Sequence, residues 1–288
     1  MKPMLACVVE DLKDLKFPGY VSPKLDGIRA LVIEGVVVSR KLLPIPNKHV
    51  QKLFGRPEYE GFDGELTLRD SKNFNAVQSA VMTEDGEPEV IYQVFDDHRR
   101  CFNLELLIEE FRNLLTVDFS TDRVVRVSQT RVRHLGELMK WHKRFVAWGF
   151  EGTIFRTADS PYKFGRSTPK EQYLVKIKDF KDDEAVVVGA VQKVKNDNPP
   201  TQDELGNTKR SSHKKNKTPL EMLGALSVKY KGHQLSIGSG FTDAQRSSLW
   251  YNKDSLNGLI VKFKYQEVSE YGVPRFPVFL GFRDKRDL

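Results

Sequence analysis

The sequence predicts an α+β protein of two domains, with helices and antiparallel sheets in the first and a small β-barrel in the second. Three observations predict it. The chain has 288 residues, enough for two ordinary domains with separate cores. Over residues 1–182 strand-like and helix-like patterns alternate, without regular β-α-β crossovers. After Lys181-Asp182-Asp183 the pattern turns almost wholly to strands, which places the boundary near residue 183.

In the first domain strands are expected at 20–23, 30–33, 36–39, 61–68, 90–95, 124–127, 153–156 and 173–177. Helices are expected at 48–54, 74–82, 104–115 and 135–148. In the third of these, Leu104, Leu107, Ile108, Phe111 and Leu115 recur at spacings of three and four, which makes one buried face. The second domain, 183–288, has strand patterns at 185–194, 225–230, 234–237, 259–265 and 276–282, with a short helix at 243–251. Five strands and one small helix in about 105 residues suggest a partly open barrel of the OB type.

Hydrophobic residues make up 39% and charged residues 30%, the balance of a well-solvated globular chain rather than a disordered one. Lys and Arg number 46 against 39 Asp and Glu, a net +7. A moderate basic excess fits a polyanionic partner, although many basic proteins bind none. The two cysteines, Cys7 and Cys101, can build neither a disulfide framework nor a zinc site, so reduced thiols are expected. Residues 1–10 lack the apolar core of a signal peptide, and no apolar run approaches the ~20 residues of a membrane span. No membrane partner is expected. A cytosol-like compartment is the default expectation, with the nucleus possible in a eukaryotic cell.

Inside the second domain, residues 193–217 hold seven Lys/Arg against three acids, with only Val194 and Leu205 apolar. Such a segment cannot bury itself. It reads either as a solvated loop or as a basic arm that orders on nucleic-acid phosphates, and a long insertion in a compact barrel favours the arm.

The chemistry centres on Lys24-Leu25-Asp26-Gly27-Ile28-Arg29, at the end of one expected strand and the start of another. Alone, this is a polar turn in which Gly27 supplies a positive φ. A lysine so placed becomes a nucleophile if it loses its proton. Nearby positive charge penalises an ammonium, and Arg29, Lys176, Lys178 and a bound Mg²⁺ could supply it. Carboxylates that could hold the metal are Glu65, in Gly61-Phe62-Asp63-Gly64-Glu65-Leu66, and Glu151, in Phe150-Glu151-Gly152-Thr153. Each alone is an ordinary turn carboxylate. In Val175-Lys176-Ile177-Lys178 a strand would turn both lysines to one face. The P-loop and H-E-x-x-H patterns are absent, which argues against a standard ATPase or zinc hydrolase.

In order and spacing these elements resemble the motif series of the covalent nucleotidyltransferases: ATP-dependent DNA ligases, RNA ligases and mRNA capping enzymes. KLDGIR is similar to the nucleophile motif, Ser39-Arg40-Lys41 to the arginine motif and FDGEL to the first carboxylate motif. Tyr92–Asp97 resembles the aromatic motif, with EGTIFR and VKIK as the second carboxylate and paired-lysine motifs. Ser79-Ala80-Val81-Met82-Thr83, Tyr162-Lys163-Phe164-Gly165-Arg166-Ser167-Thr168, Ser236-Ile237-Gly238-Ser239-Gly240-Phe241 and Arg275-Phe276-Pro277-Val278-Phe279 resemble the minimal two-domain ligases of large viruses and phages. Some of those carry a DNA-closing latch in the OB domain, where residues 193–217 fall.

The resemblance implies an enzyme that takes ATP and Mg²⁺, with Mn²⁺ able to substitute, and acts on nicked duplex DNA as a monomer closing around it. It implies that Lys24 carries AMP, that Phe95 stacks on adenine and that Glu65 and Glu151 serve the ribose and metal. Lys176 and Lys178 would neutralise the α-phosphate. Arg29 and Arg40 would grip the sugar or the 5′-phosphate of the nick, and Asp26 would align the last step. Met82, Thr83, Lys163 and Arg166 would contact the DNA backbone, as would Arg275 and Phe276 on the barrel and Lys209, Arg210, Lys214 and Lys215 on the latch. Tyr162 and Phe164 could pack on sugars or belong to the core. Arg283-Asp284-Lys285 is one residue shorter than the family's R-x-D-K ending, so Arg283 alone is assigned its pyrophosphate role. The rival readings are an RNA ligase or a capping guanylyltransferase, and a non-catalytic OB-type nucleic-acid binding module.

Overall fold

The computed structural model describes residues 2–69, 74–99, 123–203, 206–269 and 272–283. The helix expected at 104–115, Cys101, Asp284 and Lys285 lie outside them. The chain divides into two compact units, 1–178 with 202–207, and 179–201 with 208–288.

The first unit contains nine described strands: β1 (Gly19–Lys24), β2 (Ile28–Ile33), β3 (Val36–Ser39), β4 (Phe62–Leu68), β5 (Val90–Asp97), β6 (Val124–Arg126), β7 (Thr130–Val132), β8 (Gly152–Thr157) and β9 (Val175–Ile177). They form two sheets, in the orders β3-β2-β4-β5-β6 and β7-β1-β8-β9. All pairings are antiparallel except β5 with β6, which departs from the purely antiparallel expectation. Helices α1 (Lys48–Phe54) and α2 (Phe74–Met82) cover the first sheet, where Val50, Phe54, Val77 and Val81 join Leu66 and Tyr92 in one buried core. Helix α3 (Leu135–Ala147) packs Leu138 and Phe145 against Val21, Phe155 and Val175 of the second.

The turn at 25–27 therefore carries the chain from one sheet to the other. Gly27 is needed here, though not for a positive φ, since it is absent from the residues with one. A Cβ at this position would run into the Leu66 carbonyl oxygen and the Glu65 side chain. The backbone of the turn thus passes too close to β4 for any larger residue.

The second unit closes five strands, β10 (Lys181–Asn196), β13 (Lys217–Tyr230), β14 (His233–Ile237), β15 (Ile260–Tyr265) and β18 (Val278–Phe282), in the order β14-β13-β10-β15-β18. Ser239 beside Val278 brings the two edges together, with the Phe279 N–H donating to the Ser239 carbonyl at 2.9 Å. Helix α4 (Asp243–Tyr251) starts with a capping box between Thr242 and Gln245. Alternate residues Val261, Phe263 and Tyr265 of β15 turn into the barrel core with Leu226 and Val228 of β13.

The basic segment is a ribbon. β10 and β13 stay paired as far as Asn196 opposite Lys217, and β11 (Pro200–Gln202) pairs with β12 (Thr208–Arg210) beyond them. Neither short strand is expected from the sequence, because their residues are polar and exposed. A side chain holds the ribbon's root: Asn198, 4% exposed, donates to Asn196 Oδ1 at 2.8 Å and to the carbonyls of Ser211 and His213 at 3.0 and 2.9 Å. A further two-residue pair, β16 (Glu267–Val268) with β17 (Pro274–Arg275), completes the strands described here.

Candidate active site

Lys24 ends β1 opposite Gly152 of β8, so the start of β8 carries Glu151 to the lysine. The carboxylate of Glu151 accepts from Lys24 Nζ on one oxygen and from Lys178 Nζ on the other. Burial alone would raise the Glu151 pKa, but the two lysines outweigh it and hold the carboxyl below its usual value.

Lys24 lies on a cavity of about 260 Å³ within the first unit. Six cationic side chains line it, Lys24, Arg29, Arg40, Arg156, Arg166 and Lys176, against two acidic ones, Glu65 and Asp96. Burial, then the charges of Lys178, Lys24 and Arg166, lowers the pKa of Lys176. Burial pushes Asp96 up to about 6 against the pull of Arg156, and pushes Glu65 up to about 7 against Arg29 and Lys24. Excess positive charge with acids reluctant to ionise suits an anionic ligand.

Glu65 stands opposite Arg29 across the β2–β4 pair. Arg29 turns instead to Asp63, which is fully buried and accepts from its Nη2 at 2.6 Å and from Tyr162 Oη at 2.7 Å. Burial works against the Arg29 charge, yet Asp63 more than compensates and raises its pKa. The same guanidinium lies over the Phe95 ring, 4.6 Å from its centroid. Tyr162 is thereby a core residue, while Phe164 is exposed.

The Glu65 shift sets the sign of a stability effect. A carboxyl raised in the fold is held neutral there, so its contribution to stability is present below the ordinary value of 4.5 and lost as pH rises through about 7. In the nucleotide-free protein, Glu65→Gln should raise the melting temperature by roughly 3 °C at pH 8 and leave it unchanged at pH 4. An equal shift at both pH values, followed by circular dichroism, would contradict the assignment.

The structure brings together most of the expected site: Lys24, Arg29, Arg40, Glu65, Phe95 and Lys176 line the cavity, and Glu151 bridges Lys24 and Lys178. Arg166, expected on DNA, also lines it and donates to the Ala6 carbonyl at 2.6 Å. Asp26 lies in the turn after β1 and is not a lining residue. Lys163 is paired with Glu171 at 2.6 Å. Met82 packs on the core at the end of α2, followed by exposed Thr83. In the second unit Arg275 covers Phe276, which is 63% exposed, and Arg283 pairs with Glu184 at 2.6 Å. On the ribbon Lys209, Arg210, Lys214 and Lys215 are exposed. Sequence reasoning missed Asp96, Arg156 and Gln129 as cavity residues. The first two stand inside motifs it had recognised, Tyr92–Asp97 and EGTIFR, and that was the available signal.

Among the described residues no group of three or more His, Cys, Asp or Glu side chains gathers to hold a metal. Glu65 can offer a single carboxylate, the share Mg²⁺ takes where phosphate and water complete its shell. Both oxygens of Glu151 are already held by lysines.

An α+β unit with a lysine in a cation-rich cavity, followed by a small five-stranded barrel, is the architecture of the covalent nucleotidyltransferases. Residues 217–283 match the family model of the DNA ligase OB-like domain. A solved structure of Chlorella virus DNA ligase-adenylate is 33% identical, with 98% of this chain and 99% of that one covered and a TM-score of 0.57. A Lig E DNA ligase, 24% identical over 98% of this chain and 99% of its own, shares the fold with a TM-score of 0.73. The DNA ligase of African swine fever virus is 29% identical over 138 residues, 45% of this chain and 32% of the viral enzyme, so the match spans about a third of that relative. The chain belongs to the DNA ligase family. No described helix is long and apolar enough to cross a membrane.

Proposed function

We propose that the protein is an ATP-dependent DNA ligase that seals nicks between a 3′-hydroxyl and a 5′-phosphate in duplex DNA. The observation that carries this is Lys24, held by Glu151 at the wall of a cavity with six cations and two acids. Lys24 Nζ attacks the α-phosphorus of ATP, a P–N bond forms and pyrophosphate leaves. Lys176, whose charge is already destabilised, faces the phosphate, where an anion relieves the repulsion among Lys24, Lys176 and Arg166. Phe95 stacks on adenine, and since Arg29 covers one face of the ring the base takes the other. AMP then passes to the 5′-phosphate of the nick, and attack by the 3′-hydroxyl expels it. Asp26 aligns that last step. Glu65 would hold Mg²⁺, which supplies charge neutralisation at the phosphates. Arg40, Arg166, Met82, Thr83, Lys163, Arg275, Phe276 and the ribbon cations meet the DNA backbone, and Arg283 meets pyrophosphate. The protein acts as a monomer.

The test is label transfer from ATP carrying radioactive α-phosphate, in wild type and Lys24→Ala, with a chase of nicked DNA. Label that depends on Lys24 and leaves as the nick closes is the expected result. Label that will not leave on DNA would favour RNA or cap substrates. No label, on protein first freed of AMP with pyrophosphate, would return the chain to the binding-module reading.

A further inference from the structure

Of the charged residues lining the cavity, only Asp96 and Arg156 are buried, 3% and 5% exposed. Their ion pair joins β5 of one sheet to β8 of the other. Asp96 stands next to Phe95 at an irregular point of its strand. Asp63 pairs with Asp96 and Gly64 with Val94, so Phe95 is the extra residue of a β-bulge. A bulge re-aims a side chain at the cost of its ladder hydrogen bonds, and it keeps that aim only if something else holds it.

Three contacts do so. Asp96 Oδ2 accepts from Arg156 Nη1, while Oδ1 accepts from the Asp97 N–H at 3.0 Å. Gln129 Nε2 donates to the Phe95 carbonyl at 2.8 Å, replacing the ladder bond the bulge gives up. Arg156 is itself steadied by Ser160, whose Oγ accepts from Nε at 3.3 Å. A buried ion pair is a poor source of stability, because desolvation offsets most of its attraction. It is a good device for fixing one geometry.

We infer that the Asp96–Arg156 pair is a positioning clamp that locks the bulge and sets the Phe95 ring against the base of the bound nucleotide. The inference rests on reading this cavity as the ATP site. A positioning clamp acts through Phe95, so its removal should weaken nucleotide capture and have no further effect once the ring is gone.

The test uses the double substitution Asp96→Asn with Arg156→Gln, which removes both charges and leaves neither buried alone. Lys24 adenylation is measured in this protein, in Phe95→Ala and in the combination. The neutral pair should raise KM for ATP about tenfold with kcat within about threefold, and the same change in the Phe95→Ala background should move KM less than about twofold. The single Asp96→Asn protein, matched to wild type in melting temperature, gives an independent second reading in the same direction. A full tenfold effect in both backgrounds would overturn the clamp, as would a fall in kcat at constant KM or a wild-type KM in either variant. Failure of the wild type itself to take label would instead remove the ATP site on which the inference stands.

Discussion

Glu151→Gln should slow the transfer of AMP to Lys24 by about a hundredfold to a thousandfold, the usual cost of losing one preorganised electrostatic group. The side chain is 18% exposed and gives one carboxylate oxygen to each of two lysines. Glutamine keeps the length and one acceptor but loses the charge. Lys24 and Lys178 then lose the carboxylate that holds them both, and with it the position it gives Lys24. The opposing effect has a definite sign: loss of a neighbouring negative charge favours the neutral amine, the form that attacks. A faster variant would therefore mean that the charge restrains Lys24 more than its position helps. Glu151→Asp separates the two contributions, because it keeps the charge and withdraws it by one methylene. If position dominates, both variants are slow while KM for ATP stays within a few-fold of wild type. Rates within threefold of wild type, by single-turnover label transfer, would remove Glu151 from the machinery.

Much of this arrangement was legible in the sequence because it rests on local features. The helices expected at 48–54, 74–82 and 243–251 have those bounds as α1, α2 and α4, and β15 alternates along its whole length. Lys24, Arg29, Glu65, Phe95 and Lys176, which line the cavity, all fall in motifs whose order the sequence shows. Long-range matters were not legible. Asp63 falls in the strand expected at 61–68, but nothing local marks it as buried: its partners are Tyr162, 99 residues further on, and Arg29, 34 residues earlier. β7 is three residues long and is a strand only because Tyr20 lies opposite Arg131. The Phe95 bulge leaves no trace in the alternation of Val90–Asp97, which is buried and half-buried by turns up to Asp96. Polar ribbon strands have no hydrophobic period to read.

Removing the ribbon should cost DNA binding and spare the first chemical step. The pairing of Asn196 with Lys217 supplies a clean place to cut, so residues 197–216 can be replaced by Asn-Gly as a two-residue hairpin turn. The barrel core is untouched, because none of its buried residues lies in that stretch. What is lost is local charge: residues 209–217 contain five Lys/Arg and no acid, and four of the five fall within the excised part. If those four meet phosphates, the slope of log affinity against log salt should flatten by about 3 to 4, at ~0.9 per contact. Affinity for nicked duplex should fall at least tenfold at low salt, and the deficit should shrink as salt rises. Lys24 adenylation should stay within twofold of wild type. Asn198→Ala offers a gentler version, since it leaves every cation in place and removes the side-chain bonds to Asn196, Ser211 and His213 that pre-order the ribbon. It should weaken binding less and leave the salt slope nearly unchanged. Equal nick sealing by the deletion protein and wild type across a salt series would show that the ribbon is not a DNA arm.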